Sequence, residues 1–149
     1  LAAGVTSRPT VLSEKKFGAS WFVPCGDSYM ATLYADAGAD YMFADLPGSG
    51  SKPLSFETVL DKAMHADYWL IKFNLADDMN YQALQTEYKP YASFDAFKNK
   101  KIYYTNTGKV PYYEEVPMHP DYLLKDLVWI FHPELLPGYK PRYFSRMMD

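Results

Sequence analysis

The chain has 149 residues, a length that suits one domain with a single core. Hydrophobic residues make up 48% and charged residues 22%, and a net charge of -3 with no basic stripe excludes a nucleic-acid footprint. No run reaches the apolar length that crosses a bilayer, and Cys25 stands alone, so no internal disulfide forms.

Residues 1–5 read as the close of a helix, with Gly4 as its terminator, and residues 7–16 as a polar connector. Residues 17–23 are aromatic-rich with loose alternation and predict a strand, ended by Pro24 and Gly26. Asp27 or Ser28 caps the next helix, because a short oxygen side chain accepts a free backbone N–H. Met30, Leu33, Tyr34 and Ala37 recur at helical spacing, and Gly38 stops that helix. Residues 40–44 form a short strand, and residues 46–53, with their Gly and Pro breakers, a flexible rim loop. Ser55 caps a further helix whose buried side carries Phe56, Val59, Leu60 and Ala63. Residues 67–73 are a compact apolar strand, 77–87 a helix, 91–97 a turn or short helix, and 102–105 the last clear strand. Residues 106–116 are a loop with paired tyrosines, and 120–131 a helix with Leu123, Leu124, Leu127, Val128 and Phe131 on its apolar side. Strands alternate with helices throughout, which predicts an α/β fold with a mostly parallel sheet flanked by helices.

Little in this order carries catalytic chemistry. His65, His119 and His132 are too scattered to hold a metal, and no cofactor is predicted. There is no G-x-S-x-G or S-x-x-K sequence, and "DLPGSGSK" lacks the spacing of a phosphate loop. Ser28 at a strand-to-helix turn serves as a cap, and Cys25 as a buried thiol; a nucleophilic role for either defines the alternative of a small α/β enzyme. The 14 Tyr, 9 Phe and 3 Trp are unusual, and a carbohydrate-binding module is a further alternative. Trp21, Phe43, Phe73, Tyr112 and Tyr113 fall in loops or at strand ends, where rings beside a parallel sheet's carboxyl edge can stack on a ligand. Glu57 lies in the first turn of its helix; it either complements the positive helix end or awaits an arginine on a partner.

The succession "RPTVL", "WFVPCGDSY", "AGADYMFAD", "GSGSKPLSFETVL", "ADYWL" and "PDYLLKDLVWIFHPELLP" is similar to the C-terminal lobe of helical-backbone substrate-binding proteins of ABC importers. Those are the vitamin B12, siderophore and haem binders. The resemblance implies a Rossmann-like lobe of a two-lobe protein, with residues 1–16 as the end of the inter-lobe helix and its connector. Residues 17–149 would then form the C-terminal lobe, with the N-terminal lobe outside this chain. It further implies a non-catalytic monomer that takes a ferric siderophore, haem or cobalamin into an inter-lobe cleft and hands it to an inner-membrane permease. Such proteins are exported to the periplasm, some with a lipid anchor upstream. By the same resemblance Glu57 is the permease-docking acid, and the cleft face includes Trp21, Ser28, Asp45, Ser49, Lys72, Asn74 and Tyr112. No arginine matches the grip on a chelate's oxygens, and Lys72 is the one obvious cation at a strand end.

Overall fold

The computed structural model describes residues 8–18, 20–73 and 78–148. The expected helix end at residues 1–5 therefore lies outside the described residues.

The elements are β1 (Thr10–Ser13), β2 (Lys16–Phe17), β3 (Ser20–Pro24), α1 (Tyr29–Asp36), β4 (Asp40–Tyr41), β5 (Ser51–Leu54) and α2 (Phe56–Ala63). They continue with β6 (Tyr68–Phe73), α3 (Tyr81–Glu87), α4 (Asp95–Lys98), β7 (Ile102–Asn106), α5 (Tyr112–Glu115), α6 (Pro120–Phe131) and β8 (Ser145–Arg146). The main sheet has the order β4-β1-β6-β7-β8, parallel except for β8, which runs antiparallel to β7. This is the mostly parallel α/β lobe that the sequence predicts.

Two parts of the sequence reading are corrected. First, residues 10–13 are not connector but a central strand: Val11 and Leu12 are fully buried, and β1 sits between β4 and β6. Second, residues 17–23 do not enter the parallel sheet. β2, β3 and β5 form a small antiparallel sheet of their own, laid over the main one. The predicted loop at 46–53 thus ends in a strand, and Pro53 is tolerated there because β5 is an edge.

The space between the two sheets explains the aromatic content. Trp21 of β3 stacks on Trp69 of β6 with centroids 5.6 Å apart, and Phe94, Tyr91 and Phe56 pack edge-on or tilted around them. Burying such rings contributes more than their area alone, through offset and edge-to-face contacts. On the opposite face, α1 and α6 cover the sheet, with Phe131 against Tyr34 and Tyr68.

The helix caps follow sequence rules closely. Ser28, Ser55 and Asn80 each accept a backbone N–H from the residue three positions on. The tail is held differently. Asp126 of α6 is fully buried, and its two oxygens accept from the backbone N–H groups of Arg142, Tyr143 and Phe144 and from the Tyr139 hydroxyl. That cluster seats Tyr143, Phe144 and Met147 in the core of this lobe and presents β8 to β7.

Candidate functional site

At the carboxyl ends of β1 and β6 a cavity of about 330 Å³ opens between α1 and the small sheet. This is where an open parallel sheet offers ligands a crevice. Glu14, just past β1, and Lys72, in β6, lie half-buried along it; Ser28 and Met30 come from the start of α1, and Ser49 from the facing rim. Phe22 and Tyr29 also line it and are 46% and 53% exposed, so two large rings stand open to solvent. A groove of about 490 Å³ on the other flank of α1 holds the Arg8–Asp40 ion pair at the amino ends of β1 and β4, away from the carboxyl-end crevice.

Glu14 was not signalled by the sequence. Its backbone is left-handed, with φ at 71°, a conformation that a side chain larger than glycine adopts only when its surroundings enforce it. The enforcement is visible. Its N–H donates to Leu70 O at 2.8 Å, and its carbonyl accepts the Trp69 indole N–H at 2.6 Å. Burial pushes the carboxyl up to about 7, against the opposing pull of Lys72 and then Lys15. The Lys15 ammonium itself bonds Glu87 at 2.7 Å.

Ser28, Ser49 and Lys72 come together along the cavity. The Ser28 hydroxyl accepts from Ala31 N at 3.2 Å, so capping accounts for it without a nucleophile's role. Tyr112 stands one layer back: it is 5% exposed, its ring lies 5.3 Å from the Lys72 ammonium, and its hydroxyl reaches Met30 Sδ at 3.7 Å. It supports the cavity rather than lining it. Thr105, the cross-strand partner of Lys72, is buried, and its hydroxyl has no hydrogen-bond partner among the described residues.

Four further expected positions are corrected. Trp21 is fully buried, and its indole donates to Ser13 O at 3.0 Å, so the ring belongs to the core between the sheets and not to a ligand surface. Phe43, 3% exposed, is core as well. Asp45 does not line the cavity: both of its oxygens lie 2.9 Å from Lys62 of α2, which holds its carboxyl below the ordinary value. Phe73 stacks on Tyr104 instead of facing a ligand. Asn74 and the Tyr113 side chain lie outside the described residues. Glu57 is exposed in the first turn of α2, beyond the Ser55 cap, and does not line the cavity.

Backbone bonds hold the rim. Cys25 N donates to Gly50 O, Gly26 N to Leu46 O, and Asp27 N to Gly48 O, at 2.8, 2.7 and 3.0 Å. A Cβ on Gly26 would stand 2.0 Å from Ala44 O, so only glycine permits this close approach.

A parallel-sheet lobe with a crevice at the carboxyl ends of its strands is an architecture that offers solutes a place to bind. Residues 1–107 match the family described as periplasmic binding protein, and the chain belongs to that family, whose members bind solutes and are not enzymes. An uncharacterized lipoprotein of Methanocaldococcus jannaschii is 29% identical over 142 residues, covering 93% of this chain and 33% of that protein. Among solved structures, the TroA-like periplasmic binding protein FepB of Veillonella parvula superposes with a TM-score of 0.73 at 20% identity, covering 98% of this chain and 51% of that one. The periplasmic heme-binding protein RhuT of Roseiflexus sp. RS-1 gives 0.62 at 20% identity, covering 89% and 49%. The chain therefore spans about a third to a half of the length of these relatives.

Proposed function

We propose that this chain forms the C-terminal wall of the substrate-binding component of an ABC importer. Its ligand would be an iron compound, either a ferric siderophore or haem, with cobalamin as the remaining member of the same ligand group. The cargo would sit between the cavity described here and an opposing lobe supplied by the rest of the gene product. Delivery would be to a membrane permease, with Glu57 as the docking acid on this lobe. The protein would work outside the cytoplasmic membrane, in the periplasm or tethered by lipid, and the lipoprotein relative supports an exported location.

One observation carries the reading: the cavity at the carboxyl ends of β1 and β6 joins solvent-open rings at Phe22 and Tyr29 to a polar floor at Glu14, Ser28 and Lys72. Apolar rings with a few convergent polar groups suit a bulky ligand held without chemistry. Its volume of about 330 Å³ is small for such a cargo, as one wall of a two-sided site should be. The test is to purify the full-length gene product and record the visible absorbance of co-purified material. Titration with haem, a ferric siderophore and cobalamin would follow, read by quenching of tryptophan fluorescence. Saturable binding of one of them supports the assignment, and no binding of any of them overturns it.

A further inference from the structure

The charge pattern of the cavity narrows the ligand class. Among the described residues that line it, Lys72 carries the one positive charge and Glu14 the one acidic group. A polyanionic chelate needs several cations to replace its lost hydration, since an unpaired buried charge is costly. On this wall of the site the described lining offers a single ammonium, whose charge acts on the Glu14 carboxyl. Lys15, the next nearest cation, is engaged with Glu87.

Glu14 also has the marks of a positioned group. It is held in a left-handed backbone conformation by a core strand on one side and a core indole on the other. Strain of this kind persists where surroundings over-determine it, and it clusters at ligand clamps. A glycine would adopt the same φ without cost.

We propose, on the reading above of an iron-compound binder, that Glu14 sets the specificity of this cleft. Its carboxylate receives an ammonium or N–H group on the inward face of a neutral or cationic ferric chelate, and it turns away polyanionic chelates. Phe22 and Tyr29 then cover the apolar arms of such a ligand at the mouth, and Lys72 meets a carbonyl or hydroxamate oxygen. The burial that raises the carboxyl's proton affinity also strengthens any charge-assisted bond it makes, because the same low dielectric acts on both.

The experiment uses the full-length gene product at about pH 8, where a carboxyl with a pKa near 7 is ionised. The probes are a linear ferric trihydroxamate bearing a free ammonium group and a ferric tris-catecholate. Affinities are measured by fluorescence quenching for the wild type, Glu14→Gln and Glu14→Gly, with near-ultraviolet circular dichroism as a check on folding. The glycine variant fits the left-handed backbone, so it keeps the test decisive should the glutamine variant fold poorly. The expected result is that the wild type favours the ammonium-bearing chelate, and that each variant shrinks that preference by about tenfold, the weight of one charge-assisted contact. If the wild type binds both chelates and the ratio is the same in the variants, or if it favours the tris-catecholate, the role of Glu14 is overturned while the importer reading stands. If haem or cobalamin binds and neither chelate does, the Glu14 assignment also falls. If nothing binds, the iron-compound reading falls together with it.

Discussion

The indole N–H of Trp69 donates to the carbonyl of Glu14 at 2.6 Å. A ring in the middle of the aromatic core thereby fixes the residue that turns out of β1 toward the cavity. Glu14 is tied at its backbone on both sides, so its side chain is the free variable, and its ionisation should be visible in folding stability. A carboxyl raised from 4.5 to about 7 in the folded chain binds a proton there that the unfolded chain has already released. Stability from this group is therefore full below about pH 4.5 and is lost as pH climbs to about 7. Urea denaturation from pH 5 to 8 should show a decline of about 1–3 kcal/mol that Glu14→Gln removes. An unchanged slope in the variant would contradict the burial of this carboxyl.

Asp126 presents a second clear case. It receives three backbone N–H groups and one hydroxyl, so a neutral amide in its place would leave donors unmet. Asp126→Asn should cost about 2–4 kcal/mol in chemical denaturation. Limited proteolysis should then cut first between residues 139 and 148, because those bonds are what hold the tail.

For Trp21 the core position gives a prediction opposite to a ligand contact. Trp21→Ala should destabilise by about 3–5 kcal/mol, the usual cost of emptying a large core site. Trp21→Phe should lose about 1 kcal/mol through the missing bond to Ser13 O and leave ligand affinity unchanged. A loss of affinity without a loss of stability would return this ring to the binding surface.

Glu57 is exposed, and its loss should shift the melting free energy by no more than about 0.5 kcal/mol through the helix end. Glu57→Ala in the full-length protein should reduce permease-dependent uptake and leave ligand affinity intact. Uptake that is unaffected would remove the docking role.

Gly26→Ala should be poorly tolerated, since the added carbon meets the Ala44 carbonyl oxygen at 2.0 Å. The expected outcome is a destabilisation of about 2 kcal/mol or more, with faster amide exchange at Cys25 and Asp27 as the rim bonds open.

Much of this fold was legible because its signals are local and repeated. α6 shows helical spacing over its full length, β6 is a compact apolar run interrupted by Lys72 alone, and each of Ser28 and Ser55 sits where a cap must. What stayed hidden depended on distant partners. β1 offers only two apolar residues between Pro9 and a charged stretch, yet it is central because β4 and β6 close on it from both sides. Pro53 read as a breaker, but an edge strand has no need of its missing N–H. Trp21 reads as a strand-end ring and, by the resemblance, as part of the cleft face; a second sheet over the first turns the same position inward. At the site, the resemblance names Ser28, Ser49 and Lys72 for the cleft face, and the structure sets them along one cavity. Glu14 was not legible, since its importance rests on a backbone angle and on an indole 55 residues away.

The short bonds joining residues 25–27 to residues 46–50 have a thermodynamic corollary. A wall already ordered before its guest arrives gives up little chain entropy on capture. On the two-walled site proposed above, calorimetric signatures of binding should then track the approach of an opposing wall and the drying of Phe22 and Tyr29, with little contribution from ordering of this rim.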